Sequence, residues 1–498
     1  MREPRTTVLE RLATEVFDLL VIGAGIVGSR VAYEASRVGM RVALVDAGDF
    51  GGATSSASSK LVHGGLRYLG MGDHALVRES LQERHALMTA VAPHLVRRLR
   101  FVVPLYRGGP LPAGEVGAGV LAYAALSGRG ETRPRYLSGR GARRWVPRLR
   151  TDRLWFCVSY VDGQTNDSRL VLATVIGAAR MGAAALNHAP VVALEAAAGQ
   201  IEATLEPALE GRRIRVRARR AVNAAGPWVD PVRRLEDPAC EPIARLSKGV
   251  HLLLPGEPGW EAALTILVDE SRVTFALPWE GMLLLGTTDT EYEGDPADVS
   301  VTPADTVQVL GEAALAAPAD ILRPERVRFS FAGLRVLPIG GGDTARAPRE
   351  HLVATGPMRM VSVAGGKLTT HRRIAVDVLA RIDDPRLARL EPALQPLPGA
   401  GPKPPRPAEL DPITFDHLTH LYGAEAGELI ADRDRFPKAL ERIHPDGPDV
   451  WAQAYRAIER EGAITAEDIL RRRTTLSVRG LATAGVRLAL AELAPGRR

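Results

Sequence analysis

The stretch Gly23-Ala24-Gly25-Ile26-Val27-Gly28 constrains the fold of this chain more than any other feature. It follows a short apolar run, Phe17–Ile22, and precedes residues Val27, Val31, Ala35 and Val38, which are spaced to share one helical face. That order predicts strand, tight turn and helix, with the helix running from about Ile26 to Val38 and stopped by Gly39. In such a unit Gly23 permits the turn, Gly25 lets a pyrophosphate approach the backbone, and Gly28 lets the helix lie close on the sheet. The helix N-terminus, at Ala24 to Ile26, then faces the phosphates. Arg41–Asp46 reads as the next parallel strand, and Asp46 at its end can accept hydrogen bonds from ribose hydroxyls. The unit opens a doubly wound α/β sheet and takes a dinucleotide, with NAD and FAD equally compatible.

A chain of 498 residues exceeds one core and implies two or three domains. The middle is rich in short strand patterns, including Ile214–Ala221, His251–Leu254, Val273–Leu277 and Met282–Leu285, which suits a second domain on an antiparallel or mixed sheet. A second strand–Gly–helix passage at Met360–Ala375 is expected to close the first domain, which is then discontinuous. Leu397–Pro407 is Pro-rich and reads as a linker, and the residues beyond Asp411 look helical, as at Asp449–Arg460 and Ala466–Arg473. The expected organisation is an FAD-binding domain of 17–100, 151–240 and 340–395, a substrate domain of 101–150 and 241–339, and a helical domain of 408–498.

Three further segments favour FAD. Gly51–Lys60 follows the acidic strand and is dense in small hydroxyl residues, with Thr54, Ser55, Ser56, Ser58 and Ser59 before Lys60 and Leu61. Hydroxyls and amides there can solvate a pyrophosphate from its second side. Ala221–Asp230 is a strand ending in small residues, among them Ala225 and Gly226, which permits close approach of a ligand; a plain turn is the equal alternative. Ser362–Thr370 is a turn before a helix and contains Gly366, Lys367, Leu368 and Thr369. Helix amides and a lysine there would stabilise the negative charge of a reduced flavin.

Bulk composition excludes several classes. Cys157 and Cys240 are the only cysteines, with no metal-ligand spacing, so a disulfide framework and a metal centre are not expected and a reducing cytoplasmic setting is. The charged start MREPRTTVLERLATEV lacks the apolar core of a secretory signal. The least polar stretch, Val116–Leu126, is too short to cross a bilayer, so any membrane contact is expected to be peripheral. Arg215, Arg217 and Arg219 alternate with Ile214, Val216 and Ala218, which reads as the solvated face of a strand and not as a nucleic-acid surface. Arg471–Arg473 reads as a helix face or an interdomain contact, with anionic lipid as an alternative.

In this order, VIGAGIVG, ATSSASSKLVHGGLRYL, YVDGQTNDSRLVLA, NAAGPWVD, LSKGVHLLLP, LLGTTDTEYEGDP, FAGLRVLP, AGGKLTTHR and AITAEDILRRRTTLSV resemble the FAD-dependent glycerol-3-phosphate dehydrogenases. The resemblance spans Phe17 to about Val478. It implies FAD as cofactor and oxidation of glycerol 3-phosphate at C2 to dihydroxyacetone phosphate. It also implies electrons passed to quinone on the cytoplasmic face of a membrane; oxygen would use the same flavin site, and a homodimer is compatible with the sequence. Val250 stands where the family commonly has a small hydroxyl residue, Val336 where proline is usual, and His371 where tyrosine is usual.

Hydride transfer from a secondary alcohol to flavin N5 needs an anchored phosphate and a base for the hydroxyl proton. Arg suits phosphate through its planar fork. The expected anchors are Arg67, Arg335 and Arg349, with Lys367 as a supporting charge and Tyr68 as a further substrate contact. His63 is expected to be the base, the alternative being a histidine that only holds the flavin or the loop. Thr287 and Asp289 read as a turn supporting the site. A flavin oxidase of an amine or 2-hydroxy acid, and a non-catalytic flavin-binding protein, are the rival readings.

Overall fold

The computed structural model describes residues 1, 3–66, 73–128, 132–197, 199–270, 272–339 and 351–496. Val16–Ile22 is a strand, Ile26–Arg37 a helix and Val42–Val45 the next strand, so the opening unit forms as its pattern predicts. Five parallel strands build the centre of the first sheet, in the order Val361–Gly365, Ile214–Asn223, Val16–Ile22, Val42–Val45, Ala184–Leu186. His351–Thr355 pairs antiparallel on one edge, and the hairpin of Val191–Ala197 and Gln200–Leu205 joins Ile214–Asn223.

The reason Phe17–Ile22 is apolar apart from Asp18, which pairs with Arg386, is that both faces of the strand are buried. Leu19 and Val21 pack under the helices Ile26–Arg37, Asp167–Arg180 and His371–Leu379. Phe17, Leu20 and Ile22 face the opposite layer, with the N-terminal helix Arg5–Thr14 and the Val191–Leu205 hairpin. Ile214–Asn223, whose pattern matches the strands of the β-rich middle, belongs to this first sheet, within the 151–240 segment expected for the first domain. Its alternation comes from a half-exposed N-terminal part, where Arg215, Arg217 and Arg219 are solvated; its last residues run into the core.

The second sheet runs Thr290–Tyr292, Ala244–Pro255, Met282–Gly286, Val273–Trp279, Ala263–Leu267, Val96–Tyr106, Leu154–Thr165, Leu61–Val62. Phe329–Pro338 also pairs with Ala244–Pro255, and Arg135–Leu137 with Leu154–Thr165. All pairings are antiparallel except that of Ala263–Leu267 with Val96–Tyr106. This sheet takes in Leu61–Val62, residues 96–100 and Leu154–Thr165, which the expected boundaries put with the first domain. Long-range pairing, invisible in local pattern, decides that membership. One face packs on the helix Pro303–Ala313, the other on His74–Ala86 and Ala113–Ser127.

The C-terminal part is helical, with Pro412–Tyr422, Ala426–Ala431, Trp451–Arg460 and Ala484–Leu493. The helix expected over Ala466–Arg473 is regular only to Asp468; Ile469–Arg473 is a wider π turn. That turn points Arg472 and Arg473 at the buried carboxylate of Asp49, just beyond the second strand of the first sheet. Arg169 forms a paired contact with Glu461 at 2.7 and 3.0 Å across the same junction. The triple arginine is thus an interdomain contact, and burial of Arg472 and Arg473 removes those two from any lipid surface.

Candidate active site

The glycine turn is shaped by what surrounds it. Gly23 has φ +98°, and a Cβ there would lie 2.5 Å from the Ala224 carbonyl oxygen. A Cβ on Gly28 would lie 1.9 Å from the Gly23 oxygen, so helix and strand meet with no side chain between them. Ala225 and Gly226 continue the chain that packs beneath Gly23, with the Ala225 amide donating to Asn223 Oδ1 at 3.2 Å. Gly28→Ala is expected to weaken FAD retention by about one to two orders of magnitude through forced movement of the turn. The check is the flavin-to-protein absorbance ratio after purification; a normal ratio would count against the close approach.

The hydroxyl-rich loop closes over this turn. Ser55 Oγ accepts from the Ile26 amide at 2.9 Å, at the helix N-terminus. Asp46 accepts from the Ala24 amide at 2.6 Å and the Gly48 amide at 2.9 Å, and burial raises its pKa to about 6. Thr54 Oγ1 donates to the Leu334 carbonyl at 2.7 Å, while Ser56 Oγ caps Ala53 O at 3.3 Å. Ser58 donates to Asp167 at 2.7 Å, and Ser59 Oγ meets His251 Nε2 at 2.9 Å. The Lys60 ammonium is buried on Asp167 at 2.8 Å and the Ser56 carbonyl at 2.7 Å, so its charge holds the loop. A cradle of turn glycines, the helix N-terminus and this loop fits the pyrophosphate of FAD: the close approaches at Gly23 and Gly28 keep side chains off the turn, and Asp46 stands at the end of the second strand.

Next to the loop, His63 is held by the late turn. Thr369 Oγ1 accepts from the His63 amide at 3.0 Å and donates to the His63 carbonyl at 3.2 Å. Gly366 (φ +90°), Lys367 and Leu368 lie in that turn, and the Leu368 carbonyl meets His371 Nδ1 at 2.6 Å. His371 is fully buried, and burial drives its pKa down to about 3, so it packs as a neutral ring. On the other side, the Gly64 amide donates to Tyr123 OH at 2.8 Å, and Tyr123 donates to Asp162 at 2.6 Å.

Arg335 comes from the second sheet. A Cβ on Gly333 would lie 2.5 Å from the Ala57 carbonyl, so this strand touches the hydroxyl loop directly. Arg335 Nη2 donates to Thr287 Oγ1 at 2.9 Å and to the Thr288 carbonyl at 3.0 Å; Asp289 lies 3.4 Å from Nη1. The turn from Thr287 to Asp289 therefore holds the Arg335 side chain. Glycine turn, hydroxyl loop, His63, the Lys367 turn and Arg335 form one connected wall. Arg67, Tyr68 and Arg349 lie outside the described residues. Val250 is buried with its amide on Thr288 Oγ1 at 3.0 Å, and Val336 follows Arg335 on the strand.

Two contributors escaped the sequence reading. His251 is buried against Phe331, with ring centroids 4.9 Å apart, and burial, Lys60 and Arg335 hold it well below the usual histidine range. It is a neutral support for Ser59, and its HLLLP context signals only a core strand. The Tyr123–Asp162 pair, with Arg84 donating to Asp162 at 2.8 Å, likewise carried no signature of its role.

A family profile described as FAD dependent oxidoreductase matches residues 18–372, and one described as the C-terminal domain of alpha-glycerophosphate oxidase matches 359–492. The chain is 34% identical over 496 residues to glycerol-3-phosphate dehydrogenase of Synechocystis sp., covering 93% of this chain and 89% of the relative. It belongs to the FAD-dependent glycerol-3-phosphate dehydrogenase family. Glycerol-3-phosphate dehydrogenase 2 of Mycobacterium tuberculosis is 35% identical over 492 residues, covering 95% of this chain and 83% of that one. The FAD complex of the Bacillus halodurans family member superposes with a TM-score of 0.76 at 26% identity, covering 98% of this chain and 92% of that chain. The mixed α/β fold of a cofactor sheet, a β-rich second sheet and a helical C-terminal part is thus the family fold, and FAD is its cofactor.

Proposed function

We propose that this chain oxidises the C2 hydroxyl of sn-glycerol 3-phosphate to the ketone of dihydroxyacetone phosphate, and that its electrons pass on to a membrane quinone. The observation that carries the reading is the wall on which a fixed arginine, a histidine loop and a lysine turn meet beside the dinucleotide cradle. Bound FAD supplies the hydride acceptor. Arg335 anchors the phosphate through its planar fork, with Arg67 and Arg349 as partners, and Lys367 adds positive charge on the same side. His63 takes the hydroxyl proton, and Tyr68 contacts the substrate. The protein works at the cytoplasmic face of a membrane as a peripheral enzyme.

The test is anaerobic addition of glycerol 3-phosphate to purified, FAD-loaded protein. Prompt bleaching of the visible flavin band is expected. Bleaching by an amino acid or lactate but not by glycerol 3-phosphate would assign an amine or hydroxy-acid oxidase, and a flavin that none of them reduces would assign a non-catalytic binder.

A further inference from the structure

The apolar stretch Val116–Leu126 lies within the helix Ala113–Ser127, whose 15 residues carry one ionic side chain, Glu115, in the first turn. No described helix is long and apolar enough to cross a membrane. Gly117, Val120 and Tyr123 bury the inner face, while Gly114, Ala118, Leu121, Ala122 and Ala125 stand in solvent. Amphipathic surface helices put polar residues outside; this one puts apolar residues on both sides.

The exposed face continues onto the neighbouring strands. Tyr136 OH sits 2.9 Å from where a Cβ on Gly117 would lie, so ring and helix abut. The Tyr136 ring centroid is 5.8 Å from that of Phe156, which is 5.3 Å from that of Trp155. Leu121, Tyr136 and Trp155 are 48%, 58% and 61% exposed, so this is a patch and not a scatter of single residues. Exposed arginines lie on the same edge of the sheet: Arg133 and Arg135 precede Tyr136 at the edge strand Arg135–Leu137, Arg140 and Arg144 follow that strand, and Arg107 follows the end of the strand Val96–Tyr106, next to that of Trp155. None of these five has an ion-pair partner among the described residues, whereas nearby Arg148 and Arg150 are paired with Asp320 and Asp152.

We infer that this sheet edge, with Leu121, Tyr136 and Trp155 beside the unpaired arginines, is where the protein lies on an anionic lipid bilayer; the inference rests on the peripheral reading above and names its surface. Tyr and Trp suit the headgroup boundary, with an apolar body and a polar tip. Arginines beside an apolar patch complement anionic headgroups. A second copy of the chain docked on the same edge would instead bring the two sets of arginines together, which like charges disfavour.

The FAD-loaded protein is sedimented with phosphatidylcholine vesicles, with and without phosphatidylglycerol, and its turnover of glycerol 3-phosphate is measured with a soluble dye. Wild type is expected to pellet with the anionic vesicles and to release as salt rises. Leu121→Glu with Trp155→Glu should lower partitioning by about tenfold or more. Arg135→Ser with Arg140→Ser and Arg144→Ser should lower it about tenfold or more and flatten the salt dependence. Both variants should keep FAD content, melting temperature and dye-coupled turnover. Wild type that stays in the supernatant overturns the inference, as do variants that pellet like wild type. Wild-type self-association abolished by the same substitutions would reassign the face to a second copy. Missing dye-coupled turnover would sink the reaction assignment alone, since partitioning is read without it.

Discussion

Arg335→Ala leaves FAD bound and lowers kcat/KM for glycerol 3-phosphate by about 10²–10³-fold, mostly through KM. Arg335 sits on a strand of the second sheet, while the glycine turn and the helix amides belong to the first. Loss of its guanidinium therefore removes nothing from the cofactor cradle. It does remove a fork pre-set by Thr287 Oγ1 at 2.9 Å and the Thr288 carbonyl at 3.0 Å, so its orientation is not left to binding. Arg335→Lys should restore only part of the loss, because an ammonium keeps the charge but not the bidentate geometry. Steady-state kinetics with an artificial acceptor, alongside flavin stoichiometry, decide the matter. A variant that loses its FAD, or one whose KM is unchanged, would remove Arg335 from the phosphate site.

The second large effect is at the junction with the C-terminal helices. Asp49 accepts from Arg473 Nη2 at 2.9 Å, from Arg472 Nε and from Asn187 Nδ2 at 2.9 Å, and it is buried together with both arginines. Asp49→Asn takes one negative charge from between two buried guanidinium groups, and breaking such a group from one side costs about 3–5 kcal/mol. The C-terminal part should loosen first, so the expected signature is an earlier first thermal transition and faster proteolysis in the 397–407 linker. Unchanged melting and cleavage would show that the network contributes nothing net.

The same junction is pH-sensitive in a defined direction. Burial raises the pKa of Glu461, but Arg169, Arg456 and Arg473 outweigh it and hold the group down to about 2 against an ordinary 4.5. A folded value below the unfolded one means the stabilisation is complete above pH 4.5 and is lost as pH falls from there toward 2. Melting curves across that window should show the first transition falling with pH; a flat profile would contradict the buried pair with Arg169.

Much of the cofactor half was legible because its rules are local. A turn that needs φ +98° at Gly23 and no Cβ at Gly28 writes itself as glycine in the chain. The loop after the second strand showed as a run of serines, although Ser58, Ser59 and Lys60 turn out to hold the loop through Asp167 and His251. The substrate half was legible only through likeness to a family. Arg335 looks like many strand arginines until Gly333 is seen against Ala57 and the strand is seen to reach the hydroxyl loop.

The glycine turn, the dinucleotide unit and the reaction family were determined by the sequence alone, since the first two depend on residues within one turn or one unit and the third on motifs that can be read in order along the chain. The tertiary structure decided which sheet Leu61–Val62 and Leu154–Thr165 join, and which arginines are exposed. Arg473 finds Asp49 across 424 positions of chain, whereas Arg135 and Arg140, as basic to the eye, are left facing solvent. The physical reason is that a charge buried between domains or bared at a surface is set by where the chain returns, and no local pattern carries that information.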